Sequence, residues 1–432
     1  MLGCSGRRVY ALLFALSAAI CAFVYVVVNA DNLVIFMKNQ STPYWNMQEL
    51  RPAHLLMNVT VPVPTQSSIQ NRSLADLKNE KNTSITEPTQ ESLKNAGTEC
   101  KQVTKVVYIK THKTASSTMA SIIQRFGDSR NLSFAVPPRG HILSSRYGFK
   151  QNMLNSTKYP PLNGGTHYDI LTNHVGYNRH EMEAVIPNAT YITVLRHPVN
   201  QLVSAFTYFE WTKAVKAYRR GSADLFATFM ERPTRFLTGK MKFWWQGHNG
   251  QLYDLGLKTQ NKDTGKKLDD RVHKYIAVLD RELDLVLITE YFDESLLILK
   301  NQLCWSMDDI VYISKGLGTS HHIITQQTRD KLLKWNRGDF LLYQHFNRTL
   351  WEKIAEYGPT FEQDLKQLRG KLQETFKECI NPLKMNTKDR RERKYVLKTT
   401  ASKNCLKMSF DDIHYTNIIR KKQLKTNDEF SS

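Results

Sequence analysis

Two clusters in this chain have the residue types and spacing to hold anions, and a histidine lies between them. The first is Lys113-Thr114-Ala115-Ser116-Ser117-Thr118. Small, hydroxyl-bearing residues let a backbone approach a phosphate closely, and Lys113 brings a mobile positive charge to the mouth of the loop. The second is Arg196-His197-Pro198, with Ser204 following. Arginine offers a planar fork to phosphate oxygens, and a serine hydroxyl adds one more donor. The histidine is His174, at the end of Tyr168-Asp169-Ile170-Leu171-Thr172-Asn173. An imidazole near neutral pKa suits removal of a proton from a hydroxyl, and a cation suits a leaving oxygen that gains negative charge. His174 is therefore the candidate base and Lys113 the candidate electrostatic stabiliser. His112, His141 and His167 are rivals. His112 adjoins Lys113, so it is expected to shape the loop or touch the substrate.

Each cluster needs an element to position it. Val103 to Ile109 is apolar and β-branched, the pattern of a buried strand. After the loop, Met119, Ile122 and Ile123 recur at helical spacing, with Gly127 as the expected stop. Strand, hydroxyl-rich loop and helix N-terminus form an anion-binding arrangement, because the first helical turn has unpaired N–H groups. This is not the nucleoside-triphosphatase loop: no Gly closely precedes Lys113, and Gly265-Lys266 is followed by Lys267. Ala189 to Leu195 reads as a second strand and leads through Arg196 into a helix carrying Leu202, Val203, Phe206 and Phe209 on one face. Pro198 fits a first helical turn. Asp284 to Thr289 reads as a further strand, after which Glu290 opens a helix. Glu290 is expected to serve the helix dipole or to bind sugar hydroxyls. The pattern predicts an α/β domain on a mainly parallel sheet flanked by helices.

The string Lys110-Thr111-His112-Lys113-Thr114-Ala115-Ser116-Ser117-Thr118 resembles the galactose 3-O-sulfotransferases, a family that includes galactosylceramide sulfotransferase. The resemblance covers residues 101–383 and includes Trp335-Asn336, Leu341-Leu342-Tyr343 and Phe346 to Trp351. It implies a P-loop-like sulfotransferase fold and 3′-phosphoadenylyl sulfate as co-substrate, with no metal. Residues Lys113, Thr114, Ala115, Ser116, Ser117 and Thr118 would cradle the 5′-phosphosulfate, and Arg196 and Ser204 would hold the 3′-phosphate. The implied acceptor is the 3-hydroxyl of galactose on a glycolipid or glycoprotein glycan. A glycosaminoglycan or another carbohydrate acceptor is the alternative within the enzyme class, and a non-catalytic glycan-binding membrane protein the alternative outside it. Phe243-Trp244-Trp245 is a candidate for the sugar site or for core.

The remaining regions set the context. Residues 9–29 are uncharged and apolar, long enough to span a bilayer, and follow Arg7 and Arg8. The expectation is a cytoplasmic tail (1–8), a transmembrane signal-anchor (9–29), a lumenal stem (30–99), the sulfotransferase domain (100–383) and a basic extension (384–432). Eight N-x-[ST] sequons, at Asn39, Asn58, Asn71, Asn82, Asn131, Asn155, Asn188 and Asn347, agree with a lumenal body in the Golgi membrane. The formal charge of +20 suits a partner with several negative charges, and a lumenal placement removes nucleic acid from the candidates. The basic runs near the C-terminus read as a solvated face. Cys100, Cys304, Cys379 and Cys405 can pair in three ways in an oxidising lumen. No C-x-x-C or H-E-x-x-H spacing indicates a metal site. A homodimer is compatible with these features.

Overall fold

In a computed structural model, residues 100–218, 224–260, 263–318, 324–388 and 392–430 are described. The expected tail, anchor and stem lie outside these residues. Among the described residues, no helix is long and apolar enough to cross a membrane.

Four parallel strands form the central sheet: β1 (Val106–Ile109), β2 (Ile170–Leu171), β3 (Thr190–Leu195) and β4 (Leu285–Ile288), in the order β2-β1-β3-β4. Their β-branched and apolar side chains are almost wholly buried, as expected of a parallel sheet covered by helices. In register, Ile109 faces Thr193 and Leu195 faces Ile288. The loops after β1, β3 and β4 therefore leave from one edge. The chain turns from β1 to β2 on one side and returns to β3 on the other. The gap between β1 and β3 is thus a topological switch point, where open α/β sheets bind ligands.

Helix α1 (Ser116–Ser129) follows β1, and α2 (Pro198–Tyr208) follows β3 with Pro198 in its first turn. The expected stop at Gly127 is displaced by two residues. Gly127 lies inside α1 and is buried, where a Cβ would come within 2.4 Å of Ile170 Cδ1 and 2.5 Å of Phe134 Cζ. It allows α1 to pack closely against the β2 edge. The chain leaves the helix at Arg130, and Asn131 adopts a positive φ of 55°.

Further helices complete the domain: α3 (Gly250–Asp254), α4 (Gly265–Glu282), α5 (Phe292–Leu303), α6 (Arg337–Tyr357) and α7 (Phe361–Cys379). Trp335, Leu342, Tyr343 and Phe346 serve structure: Trp335 Nε1 donates to Gly247 O at 2.7 Å, and the other three are buried.

The region past residue 383 is not a solvated appendage. Strands β5 (Ile380–Asn386) and β6 (Glu392–Leu397) join Leu317–Gly318 in a second, antiparallel sheet. Helix α8 (Asp412–Phe430) then crosses α1 and the β2 edge. Tyr415, Thr416, Ile419 and Gln423 are buried, Arg420 Nη1 donates to Pro137 O and Gly140 O, and Gln423 Oε1 accepts from Phe134 N. The basic residues of this helix are thus partly consumed in packing. Two disulfides select one of the three pairings: Cys100–Cys304 and Cys379–Cys405. The second ties the end of α7 to the segment before α8.

Candidate active site

The loop after β1 has the backbone of an anion cradle. Lys113 and Ala115 both take left-handed conformations, with φ of 64° and 60°. Such a conformation costs a non-glycine residue on the order of 1 kcal/mol, and it turns successive N–H groups toward one point. Ala115 O accepts the N–H groups of Thr118 and Met119, closing the first turn of α1. The N–H groups ahead of them are the unpaired donors of a helix start.

Neighbouring elements fix this loop. Thr289 Oγ1 lies 3.0 Å from both Thr114 O and Leu195 O, bridging the ends of β1 and β3. Thr111 Oγ1 donates to Val194 O at 2.6 Å. Arg196 Nη1 donates to Lys113 O at 3.2 Å, and Lys113 Nζ sits 3.6 Å over the Tyr208 ring on α2. The two basic residues expected at opposite ends of a donor therefore lie next to one another, in the turns after β1 and β3.

The turn after β3 is supported from segments distant in sequence. Gln251 on α3 brackets the Arg196 backbone, accepting from its N–H at 2.8 Å and donating to its carbonyl at 2.9 Å. Asp339 on α6 accepts the N–H groups of Gln251 and Leu252, and burial pushes its carboxyl up to about 7. Glu290 accepts from His197 N and Asn200 Nδ2, so its carboxylate is occupied with holding the turn after β3. Nε of Arg196 is buried without a partner, an orphaned donor of the kind an anion satisfies. Ser204 is half-buried on α2.

The hydroxyls of the loop are only partly available to a ligand. Thr114 Oγ1 is buried against Thr111 Oγ1 at 2.7 Å. Ser117 Oγ donates to Asp412 Oδ2 at 2.8 Å, and Thr118 Oγ1 accepts from Lys315 N at 3.1 Å. Backbone N–H groups thus carry more of the cradle than the run of Ser and Thr suggests.

His174 and His112 form a pair, with rings stacked at 4.2 Å and 17°. Nδ1 of His174 lies 3.0 Å from Lys110 O, a contact in which the ring nitrogen donates and leaves Nε2 as acceptor. His112 is held harder: its N–H donates to Asp254 Oδ2 at 2.8 Å and its Nδ1 lies 2.9 Å from the same oxygen. Gln246 Nε2 donates to Asp254 Oδ1 at 2.7 Å. Burial pushes the His174 imidazole well below its usual value, and His112 and Lys110 add to the effect. It is therefore neutral near pH 7. Sequence singled out His112 only as a loop or substrate residue. Its carboxylate partner, 142 positions away, left no local signal. His141 lies nearby, with its carbonyl accepting from Asn173 Nδ2, while His167 is exposed and bonds Thr166.

A cavity of about 210 Å³ opens beside this pair. Its walls include Lys110, His112, Asp254, Tyr147, Tyr253 and Lys258. Phe243 stacks on Phe209 at 4.5 Å and lies 5.6 Å from the His112 ring, which puts the Phe243-Trp244-Trp245 stretch near the same place.

Comparison with known proteins settles the family. A model of the Galactose-3-O-sulfotransferase family matches residues 24–422. The chain belongs to the galactose-3-O-sulfotransferase family. It is 32% identical over 286 residues to mouse (Mus musculus) galactose-3-O-sulfotransferase 2, spanning 64% of this chain and 70% of that protein. It is 31% identical over 268 residues to bovine (Bos taurus) galactosylceramide sulfotransferase, covering 60% of each. Human (Homo sapiens) galactose-3-O-sulfotransferase 3 is 28% identical over 362 residues, 77% of this chain and 80% of that one. Family membership implies 3′-phosphoadenylyl sulfate as co-substrate. In this chain the left-handed Lys113 and Ala115 precede the first turn of α1, and the Arg196 guanidinium beside them keeps an unpartnered buried Nε.

Proposed function

We propose that this chain transfers a sulfuryl group to the 3-hydroxyl of a galactose on a glycolipid or glycoprotein glycan. The observation that carries the reading is the adjacency of the two turns, in which Arg196 bonds the Lys113 carbonyl next to the stacked imidazoles of His112 and His174. When bound, 3′-phosphoadenylyl sulfate supplies the sulfuryl group and a phosphate leaving group. Residues 113–118 hold its 5′ end through backbone N–H groups. Arg196 and Ser204 hold its 3′-phosphate. The ammonium of Lys113 stabilises negative charge at the departing oxygen.

The base comes from the imidazole pair. His174 is the candidate from sequence, with a depressed pKa and Nε2 left as acceptor. His112 lines the cavity, and Asp254 on its Nδ1 likewise leaves Nε2 to take a proton. We assign proton removal to His112, with His174 stacked against it to keep its ring oriented. Most of the acceleration is then positioning and charge stabilisation. The scheme employs no metal.

One observation favours an acidic acceptor as the second reading. Arg146 and Lys258 are exposed at the cavity mouth, within 6 Å of the Tyr147 ring, and form no ion pair among the described residues. A uronic acid or a sulfated sugar would satisfy them.

The wider setting is a type II protein of the Golgi membrane, anchored by residues 9–29, with its body in the lumen and a homodimer as its assembly. Transfer of radiolabelled sulfate to neutral and acidic galactosides, with linkage analysis, tests the acceptor. Label at the galactose 3-position is expected. Transfer to uronic acid alone would overturn the assignment. Lys113→Ala is expected to abolish transfer while the fold survives, and full activity in that variant would remove its role.

A further inference from the structure

The C-terminal helix sends a carboxylate into the back of the site. Asp412, the first residue of α8, pairs with Lys110 Nζ at 2.5 Å and accepts from Ser117 Oγ at 2.8 Å. Lys110 is 2% exposed, and Asp412 retains 16% of its side-chain surface. Lys110 is the residue after β1. Lys110 belongs to the cavity wall, and its carbonyl takes the His174 ring nitrogen. One residue thus links α8 to the imidazole pair. The sequence between positions 110 and 412 gives no hint of this contact.

We propose that Asp412 is a positioning residue for the transfer reaction: it fixes Lys110 and, through the Lys110 peptide, the stacked His174 and His112 rings at the acceptor cavity. The proposal rests on the function assigned above. A structural tether alone would not require a carboxylate here, since a buried ion pair is often no more stabilising than apolar residues of similar volume. What the carboxylate specifically does is offset an ammonium beside two imidazoles. Other charges face these groups. Lys315 and Asp411 lie close to Asp412, and His141 joins Lys110 and His112 around His174. Burial pushes the Asp412 carboxyl up, but Lys110, Ser117 and Lys315 hold it below the usual carboxylate range, so it stays ionised.

Two variants test the proposal in the complete lumenal protein. In Asp412→Asn, Lys110 loses its counter-charge. The expected result is a kcat at least about 10-fold lower, without a rise in the donor KM, recovered largely by Asp412→Glu. Histidine ring NMR should show the His174 titration moving to lower pH. In the charge-free pair Lys110→Met with Asp412→Leu, packing is retained and the ammonium is gone, so the same titration should move to higher pH. Unchanged histidine titrations in both variants would overturn the proposal. So would a loss of activity expressed wholly as a raised donor KM with a lowered melting temperature. The NMR readout requires no acceptor. A protein whose titrations shift as expected but which sulfates no galactoside would refute the assigned function and leave Asp412 as the anchor of the imidazoles.

Discussion

At the scale of single residues, the proposed chemistry rests on two imidazoles stacked face to face. Burial lowers the pKa of His174, and the neighbouring His112 ring and Lys110 act in the same direction. Its folded pKa is depressed, so the base form persists as pH falls through 6.5. The His174 ring is therefore expected to titrate below 6.5 in histidine ring NMR, and a midpoint at or above that value would contradict its burial in the stacked pair. Asp254 sets the tautomer of His112. Asp254→Asn should lower kcat by roughly 10²-fold or more while donor binding, measured by calorimetry, is kept. Equal losses in both would make Asp254 a folding residue only. Lys113, Arg196 and His174 were singled out as candidates from type and position, and the structure brings their turns side by side. Asp254, Gln251 and Asp339 were not singled out, because their partners are distant in sequence.

At the scale of elements, the site exists because two strand-to-helix turns leave one sheet edge side by side. The strands follow from their β-branched runs, and the loop from its small residues. Close packing of α1 is the less obvious requirement. Gly127→Ala places a methyl where Ile170 and Phe134 already lie. It should destabilise the domain by about 1–3 kcal/mol in chemical denaturation. A neutral result would mean that α1 can shift outward, which should then show as weaker donor binding. Sequence reasoning took this glycine for a helix stop, since composition alone does not separate a glycine that ends a helix from one that lets it touch a strand.

At the scale of the whole molecule, the region after residue 383 is part of the catalytic body. Lys315, packed near Asp412 and Lys110, has its ammonium lowered to about 7 by burial. A lysine depressed in the folded state costs stability where the unfolded chain is protonated and the folded one resists it. Its neutral form therefore adds stability above the ordinary value of 10.5, and this is lost as pH falls toward 7. Replacing Lys315 with Met should flatten the rise in stability between pH 7 and 10, followed by urea titration at each pH. A slope unchanged by the substitution would place its origin elsewhere.

By itself, the sequence determined the parallel α/β class, the strand-to-helix turns at Lys113 and Arg196 and the family, because hydrophobic period and loop composition act over short stretches of chain. Tertiary structure alone decided the disulfide pairing, the Asp254–His112 contact and the return of α8 to Lys110. Each depends on where separated segments meet, and packing of the complete core sets that meeting.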